Sequence, residues 1–169
     1  MIRVIGAGLI VGAMGWMGWQ AGNTVKQRLF LLRRLIYSLE KIQREVSFRR
    51  VPLPRLLALL SKEEAGLLAE FWSGCAQGAG ISGEEFRRCW KVGTENLGVM
   101  LDRTTKQVLQ NVGQGLGRYD GEGEEMLLKS SVSELEAHLR KLTEENGQTA
   151  RLYQTLGVTT GVFLALILM

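Results

Sequence analysis

Apolar positions along the chain follow helical patterns over most of its length. From Thr24 to Phe48 they recur every three or four residues, which predicts one buried face of an amphipathic helix. These positions are Val25, Leu29, Leu32, Ile36, Leu39, Ile42 and Val46. Pro52 and Pro54 end this pattern, and Pro52 can begin a short apolar helix over Leu53 to Leu60. No stretch alternates with a period of two for long enough to predict a strand.

Start signals predict three further helices in the middle of the chain. Ser61-Lys-Glu-Glu64 and Ser82-Gly-Glu-Glu85 match capping boxes, and a glycine-rich turn from Gly74 to Gly83 is expected between their helices. Asp102 can cap a helix from Thr104 to about Leu116. Its predicted buried positions are Val108, Leu109, Val112 and Leu116.

The longest pattern begins after the glycine-rich break from Gly117 to Gly123. Apolar and small polar positions alternate at spacings of four and three from Leu128 to Leu156, with Asn146 and Gly147 as a weak point. Since no proline interrupts this pattern, one helix is predicted to continue into the apolar C-terminus. The sequence therefore predicts an all-α protein, an antiparallel bundle of about six helices with an N-terminal and a C-terminal transmembrane helix.

The two ends of the chain are far more apolar than its middle. Residues 1–25 hold 15 apolar residues and a single charge, Arg3, which is enough to cross the ~30 Å hydrocarbon core. A signal peptide or a buried helix is the alternative, although no A-x-A-like cleavage site follows. Residues 152–169 carry no charge and would either span a thin membrane or dock on a partner as a tail. Residues 26–151 form the predicted domain between them.

Both apolar ends contain pairs of glycines four residues apart. This spacing allows two helices in a membrane to approach closely, so we expect these glycines to mediate helix packing there. Glycine is also common in membrane helices for other reasons. The pairs are Gly8 with Gly12, Gly18 with Gly22, and Gly157 with Gly161.

Charge is distributed unevenly along the middle of the chain, although the net charge is only +4. Lys26 to Arg55 carries a net charge of +7, and Asp120 to Gly147 carries −5. Basic residues beside a span stay on the cytoplasmic side, which predicts a domain facing the cytoplasm. Either the two segments neutralise each other as neighbours, or the basic one contacts anionic lipid or an acidic partner. Nucleic acid is a less suitable partner because the basic stretch has few aromatics. The candidate contact residues are Arg33, Arg34, Arg49 and Arg50.

No catalytic, cofactor-binding or metal-binding group is predicted. The spacing of Gly78, Gly80 and Gly83 matches a dinucleotide fingerprint, but the strand that must precede that motif is missing. Cys75 and Cys89 are isolated and are typical of core residues, and His138 is predicted to be a solvated side chain. Four pairs of adjacent glutamates occur, and two pairs are expected in first helical turns, where the helix dipole favours them. The pairs are Glu63/Glu64, Glu84/Glu85, Glu124/Glu125 and Glu144/Glu145.

The order of these parts resembles the stage III sporulation protein AB family over the whole chain. One stretch similar to that family's first-helix signature consists of Leu39, Ile42, Glu45, Val46, Phe48, Pro52 and Leu53. A second, similar to its G-x-x-L-G-x-x-D stretch, consists of Gly113, Leu116, Gly117 and Asp120. The leucine-rich tail that ends at Met169 also matches.

The resemblance implies a non-enzymatic membrane protein of endospore formers, made in the mother cell. Members belong to the channel, or feeding tube, that joins the mother cell to the forespore, and their helical domain is similar to platform-protein domains of type II secretion and type IV pilus machines. By that similarity the domain sits in the mother-cell membrane around the forespore, beside a secretion-type ATPase. Other channel subunits, membrane lipid and further copies of the chain are the expected partners. The alternative is a membrane-anchored regulator or chaperone that binds a soluble partner.

Overall fold

The computed structural model describes the backbone of residues 25–45, 51–116 and 121–168, and the side chains of residues 25–45, 51–116 and 122–146. Within these ranges the chain forms six helices and no strand, which confirms the predicted all-α bundle. Helix α1 covers 25–45. The others are α2 (Leu53–Glu63), α3 (Leu67–Ile81), α4 (Gly83–Leu97), α5 (Arg103–Gly115) and α6 (Gly121–Leu168).

One hydrophobic core joins all six helices. The predicted inner face of α1 is confirmed where Leu32, Ile36, Leu39 and Ile42 are buried, and Leu35 is buried beside them. Burying such a side chain contributes roughly 1.5–3 kcal/mol, so this row of aliphatic residues is what holds α1 to the bundle. The remaining helices supply Leu56, Leu57, Leu60, Leu68, Leu97, Val108, Leu109, Val112, Leu116, Leu128, Val132 and Leu135.

A cluster of aromatic side chains lies at the junction of α3, α4 and α5. Trp72 and Trp90 are buried with their ring centroids 5.7 Å apart, and Phe71 contacts both rings edge-on. Edge-on pairs of this kind stabilise a core beyond the area they bury. The indole nitrogen of Trp90 donates to the carbonyl oxygen of Leu109 at 2.7 Å, which fixes α4 against α5. Within the described side chains, the indole nitrogen of Trp72 has no such acceptor.

This difference predicts unequal effects for two conservative substitutions. Trp90→Phe is expected to lower the free energy of unfolding by about 1 kcal/mol more than Trp72→Phe, because only Trp90→Phe removes a buried hydrogen bond. Urea denaturation of both variants in detergent, followed by circular dichroism, measures the difference. Since both rings are fully buried and lose the same atoms, Trp72→Phe is the matched control. Equal destabilisation would contradict the prediction.

The predicted capping box at Ser61 is wrong. Helix α2 begins at the prolines and runs through Glu63, so Ser61 lies in its last turn, where its hydroxyl donates to the carbonyl oxygen of Ala58 at 2.9 Å. Helix α3 starts instead after Gly66, whose φ of 60° and ψ of −140° suit a residue without a side chain. Glu63 and Glu64 therefore lie at the C-terminal end of a helix, where the helix dipole does not favour them.

The predicted glycine-rich turn from Gly74 to Gly83 is also wrong for most of its length. Helix α3 continues to Ile81, and only Ser82 separates it from α4. A Cβ atom on Gly78 would lie 2.9 Å from the carbonyl oxygen of Glu85, so this glycine allows α3 and α4 to pack closely. The second predicted cap is confirmed, because the Ser82 hydroxyl accepts from the backbone N–H of Glu85 at 3.1 Å.

The last two helices follow the prediction closely. Asp102 caps α5 by accepting from the backbone N–H of Thr104 at 3.1 Å, and the four predicted inner positions of that helix are buried. The backbone of α6 is helical from Gly121 to Leu168, which confirms one continuous helix into the C-terminal segment.

Candidate interaction surfaces

The first and last helices pack side by side and run in opposite directions. One groove between them, of about 220 Å³, is lined by Val25, Arg28 and Leu29 of α1 and by Leu142 and Asn146 of α6. A second groove is lined by Glu40, Gln43 and Arg44 of α1 and by Lys129, Val132, Ser133 and Glu136 of α6. The beginning of α1 therefore lies beside the part of α6 around residue 146. We call this end of the bundle, where the first groove lies, the basal end.

This packing brings the basic and acidic segments of the sequence together. Arg44 and Glu136 line one groove, and Arg28 lines the other beside the acidic half of α6. If the basic and acidic segments neutralise each other, α1 and α6 must be neighbours, as they are here. Arg44 pairs with Glu40 and Glu136 pairs with Arg140, each within its own helix, so the main effect between the two helices is on the electrostatic field of the surface.

Asp102 and His138 join α5 to α6 at the basal end. Nε2 of His138 lies 2.7 Å from Oδ2 of Asp102, and because a carboxylate only accepts, the shared proton lies on the imidazole nitrogen. The His138 side chain is only 17% exposed, so the prediction of a solvated histidine is wrong. The sequence spacing of 36 residues between the partners gave no signal of this contact.

The environment of Asp102 favours its ionised form. Burial raises the pKa of this carboxyl, but the hydrogen bond from Thr105, the charge and hydrogen bond of His138, and the Thr104 N–H together hold the pKa below its ordinary value. A pKa lowered by folding means that the carboxylate stabilises the folded state above the ordinary pKa, and that this stabilisation is lost as the pH falls through the folded-state pKa.

Asp102→Ala is therefore expected to lower the free energy of unfolding by about 1 kcal/mol at pH 7, through loss of the helix cap. The difference from the parent chain should begin to shrink below about pH 4, where the unfolded parent takes up a proton, and should continue to shrink as the pH falls through the lower folded-state pKa. Urea denaturation at pH 7 and at about pH 2 measures it. A difference between the two chains that is unchanged at the lower pH would contradict the assignment.

The predicted basic contact residues lie in different surroundings. Arg33 is exposed on α1. The Nε atom of Arg34 instead donates to Oε2 of Glu64 at 2.9 Å, and the hydroxyl of Ser38 donates to the other carboxylate oxygen at 3.0 Å. Arg49 and Arg50 lie outside the described residues. Their role in lipid or partner contact stays a prediction.

The predicted glycines for membrane packing lie at the two ends of the chain. Gly8, Gly12, Gly18 and Gly22 fall outside the described residues, whereas Gly157 and Gly161 lie in the backbone of α6. Among the described residues, no helix combines the length and the hydrophobicity that crossing a membrane requires. Both membrane spans stay predictions from the sequence.

The cysteine and glutamate side chains that could take part in catalysis or bind a metal lie in surroundings that give them structural roles. Burial raises the pKa of the Cys75 thiol, and the neighbouring Cys89 adds to this effect, so Cys75 is not an activated nucleophile. Glu84 and Glu85 lie in the first turn of α4, as predicted, and Glu85 pairs with Arg88 at 2.7 Å. Across the described ranges, no three histidine, cysteine or acidic side chains are placed to share a metal ion.

These features define the class of the chain, an all-α bundle closed by antiparallel first and last helices. The sequence profile of the family described as Stage III sporulation protein AB matches residues 3–169, so the chain belongs to that family and has a role in sporulation. It is 22% identical to Stage III sporulation protein AB of Bacillus subtilis strain 168 over the full length of both proteins. A solved structure of Stage III sporulation protein AB (SpoIIIAB) shares the fold, with a TM-score of 0.65 and 18% identity, over 72% of this chain and 98% of that one.

Proposed function

We propose that this protein is a non-enzymatic membrane platform subunit of the channel that joins the mother cell to the forespore. Its two apolar ends anchor it in the mother-cell membrane around the forespore, and residues 26–151 face the cytoplasm. There the domain couples a secretion-type ATPase to the other channel subunits. Membership of the sporulation family supports the setting. The coupling role is proposed from the similarity to platform-protein domains that the family resemblance implies.

The antiparallel packing of α1 and α6 is the observation that carries this proposal. Val25 and Asn146 line the same groove, so the chain enters and leaves the bundle at the same end. Residues 1–24 precede that point, and the apolar residues 152–169 follow it along α6. Two anchors attached to one end of a domain can enter one membrane without unfolding it. The geometry thus supports the double anchor predicted from hydropathy.

The charge of α1 supports a cytoplasmic orientation. The segment from Lys26 to Arg55 directly follows the first apolar end and carries a net charge of +7. Such segments remain on the cytoplasmic side, where they also meet anionic headgroups. Lys26, Arg28 and Arg33 are exposed on α1, as that placement requires.

A soluble partner such as an ATPase would meet the end of the bundle opposite the basal end. The α3–α4 turn lies there, because Leu67 at the start of α3 and Met100 just after α4 lie at the basal end. The beginning of α6 lies there too, since α6 reaches the basal groove only at Leu142 and Asn146. Ile81 and Met126 are each 75% exposed in these segments, and Glu84 and Glu122 are exposed near them. Large apolar side chains with polar neighbours are typical of protein contact sites.

Cysteine labelling in cells tests the orientation. In a chain whose native cysteines are replaced by alanine, Met126→Cys should react with a membrane-impermeant maleimide only after the cells are permeabilised. Ile81 is equally exposed and lies on the same side of the membrane in the proposed topology. Ile81→Cys should therefore also react only after permeabilisation. Labelling of both positions in intact cells would refute the cytoplasmic domain.

The alternative function is a membrane-anchored regulator or chaperone that binds one soluble protein. The observation that favours it is an open, mostly apolar groove of about 400 Å³ between α3 and α4, lined by Leu67, Phe71 and Val92 among others. Purification in detergent from sporulating cells separates the two functions. A platform subunit should bring membrane proteins and an ATPase, whereas a chaperone should bring a single soluble client.

A further inference from the structure

A patch of exposed apolar side chains lies beside the groove at the basal end. Phe30 is 66% exposed, Val99 is 78% exposed and Leu67 is 39% exposed, although each is a large hydrophobic residue. Phe30, Leu67 and Met100 line one shallow depression of about 440 Å³ together with Lys26. We call Phe30, Leu67, Val99 and Met100 the basal patch.

Three separate parts of the chain build the basal patch. Helix α1 supplies Phe30, the start of α3 supplies Leu67, and the turn between α4 and α5 supplies Val99 and Met100. Met100 also lines the groove that contains Val25 and Asn146, so the patch adjoins the point where the chain enters and leaves the bundle. The apolar residues are thus gathered at the end of the domain that faces the proposed anchors.

Basic side chains surround this patch. Lys26, Arg28 and Arg103 are exposed on the first turns of α1 and α5. Lys106 lies against Gly98 in the turn that carries Val99. Among the acidic groups of this end, Asp102 binds Thr105 and His138 within the protein. Glu145 pairs with Lys141 at 4.0 Å, and Glu95 and Glu144 are exposed, so the rim of the patch is basic on the side of α1 and α5.

We propose that the basal patch lies in the interfacial region of an anionic bilayer, with Phe30 and Val99 among the lipid headgroups. This inference rests on the proposed function, because the anchors bring the basal end to the membrane. Apolar side chains bordered by lysine and arginine are the chemistry that binds such an interface, and aromatic rings are favoured at headgroup level. Each basic side chain near an anionic surface adds to the attraction.

The apolar residues 1–24, which directly precede α1, favour a bilayer over a protein as the partner of the basal patch. Residues 1–24 end two residues before Lys26 and six residues before Phe30, and their sequence carries only Arg3 as a charge. At 1.5 Å per residue, Phe30 lies only about 8 Å along the helix from residue 25. A side chain that close to the predicted first span lies within the ~5–10 Å interfacial layer that amphipathic helices occupy.

Photo-crosslinking of the full chain in lipid nanodiscs tests the proposal. The photoreactive residue benzoylphenylalanine replaces Phe30, Val99 or, as the control, Ile81, which is 75% exposed at the opposite end. In nanodiscs that contain phosphatidylglycerol, lipid adducts are expected at positions 30 and 99 and not at 81. An absence of lipid adducts at 30 and 99, adducts to protein instead, or equal lipid labelling at 81 would overturn the proposal.

A charge variant checks the role of the basic rim. In some molecules the basal patch lies in the lipid interface and in others it faces water. Arg103→Gln is expected to lower the ratio of the first state to the second by about fivefold, the factor that one basic side chain contributes near an anionic surface. The yield of lipid adducts at position 99 reports this ratio, and an unchanged yield would overturn the charge assignment. A chain that integrates into nanodiscs without basal adducts refutes only this inference, whereas a chain that does not integrate refutes the proposed function as well.

Discussion

Gly113→Ala is expected to destabilise the bundle by about 3 kcal/mol, although alanine is the better helix former by about 1 kcal/mol. A Cβ atom at position 113 would overlap the Cδ1, Cγ and Nε1 atoms of the Trp90 indole, closer than any real contact. The ring cannot move aside, because it is buried and its nitrogen donates to Leu109. Either the hydrogen bond breaks or α4 and α5 separate, and both cost free energy.

Gly74→Ala is the matched control for this substitution. Gly74 also lies within a helix, but a Cβ atom there would meet nothing within 4 Å. This variant should be neutral or more stable by up to about 1 kcal/mol, since it reduces the entropy of the unfolded chain. Urea denaturation in detergent gives both values. Similar stability of the two variants would show that α4 and α5 are not packed through Gly113.

Arg34→Met is the second substitution with a large expected effect, about 2 kcal/mol of lost stability. Its partner Glu64 has a side chain that is only 3% exposed, so removing the arginine leaves a buried carboxylate with the Ser38 hydroxyl as its remaining described donor. Breaking such a pair costs about 3–5 kcal/mol when both partners are buried. The figure is lower here because Arg34 is 39% exposed and already partly solvated.

A neighbouring ion pair provides the control. Lys41 binds Glu63 at 2.7 Å, but the Glu63 side chain is 46% exposed and regains water when the lysine is removed. Lys41→Met is therefore expected to change stability by no more than about 0.5 kcal/mol. The double substitution Arg34→Met with Glu64→Gln should recover much of the loss, because it removes the buried charge. Thermal unfolding of the four chains compares them, and equal losses for Arg34→Met and Lys41→Met would contradict the burial argument.

The fold was predictable from the sequence wherever the signal lies within a single helix. The inner face of α1, the Ser82 and Asp102 caps and the uninterrupted α6 depend on spacings of three and four residues or on one capping side chain. The capping motif at Ser61 was misleading because the prolines start α2 earlier and place that serine inside a helix. A start signal judged from a few neighbouring residues cannot show which of two overlapping helices will form.

The surfaces were less predictable because they depend on contacts between distant parts of the chain. His138 meets Asp102 across 36 residues, and Arg34 meets Glu64 across 30. Gly78 looked like part of a turn but serves the close approach of α3 to α4, a role that only the partner helix reveals. The basal patch likewise combines residues from three elements, so no single pattern in the sequence indicates it.

Helix α6 is the longest helix among the described residues. Its 48 residues extend for about 70 Å at 1.5 Å per residue, much longer than the other helices of the bundle. If a helix of this length moves as one body, a tilt of a few degrees at its first turns displaces residue 168 by several ångströms. A small movement at the bundle would thus become a larger one at the far end of the helix.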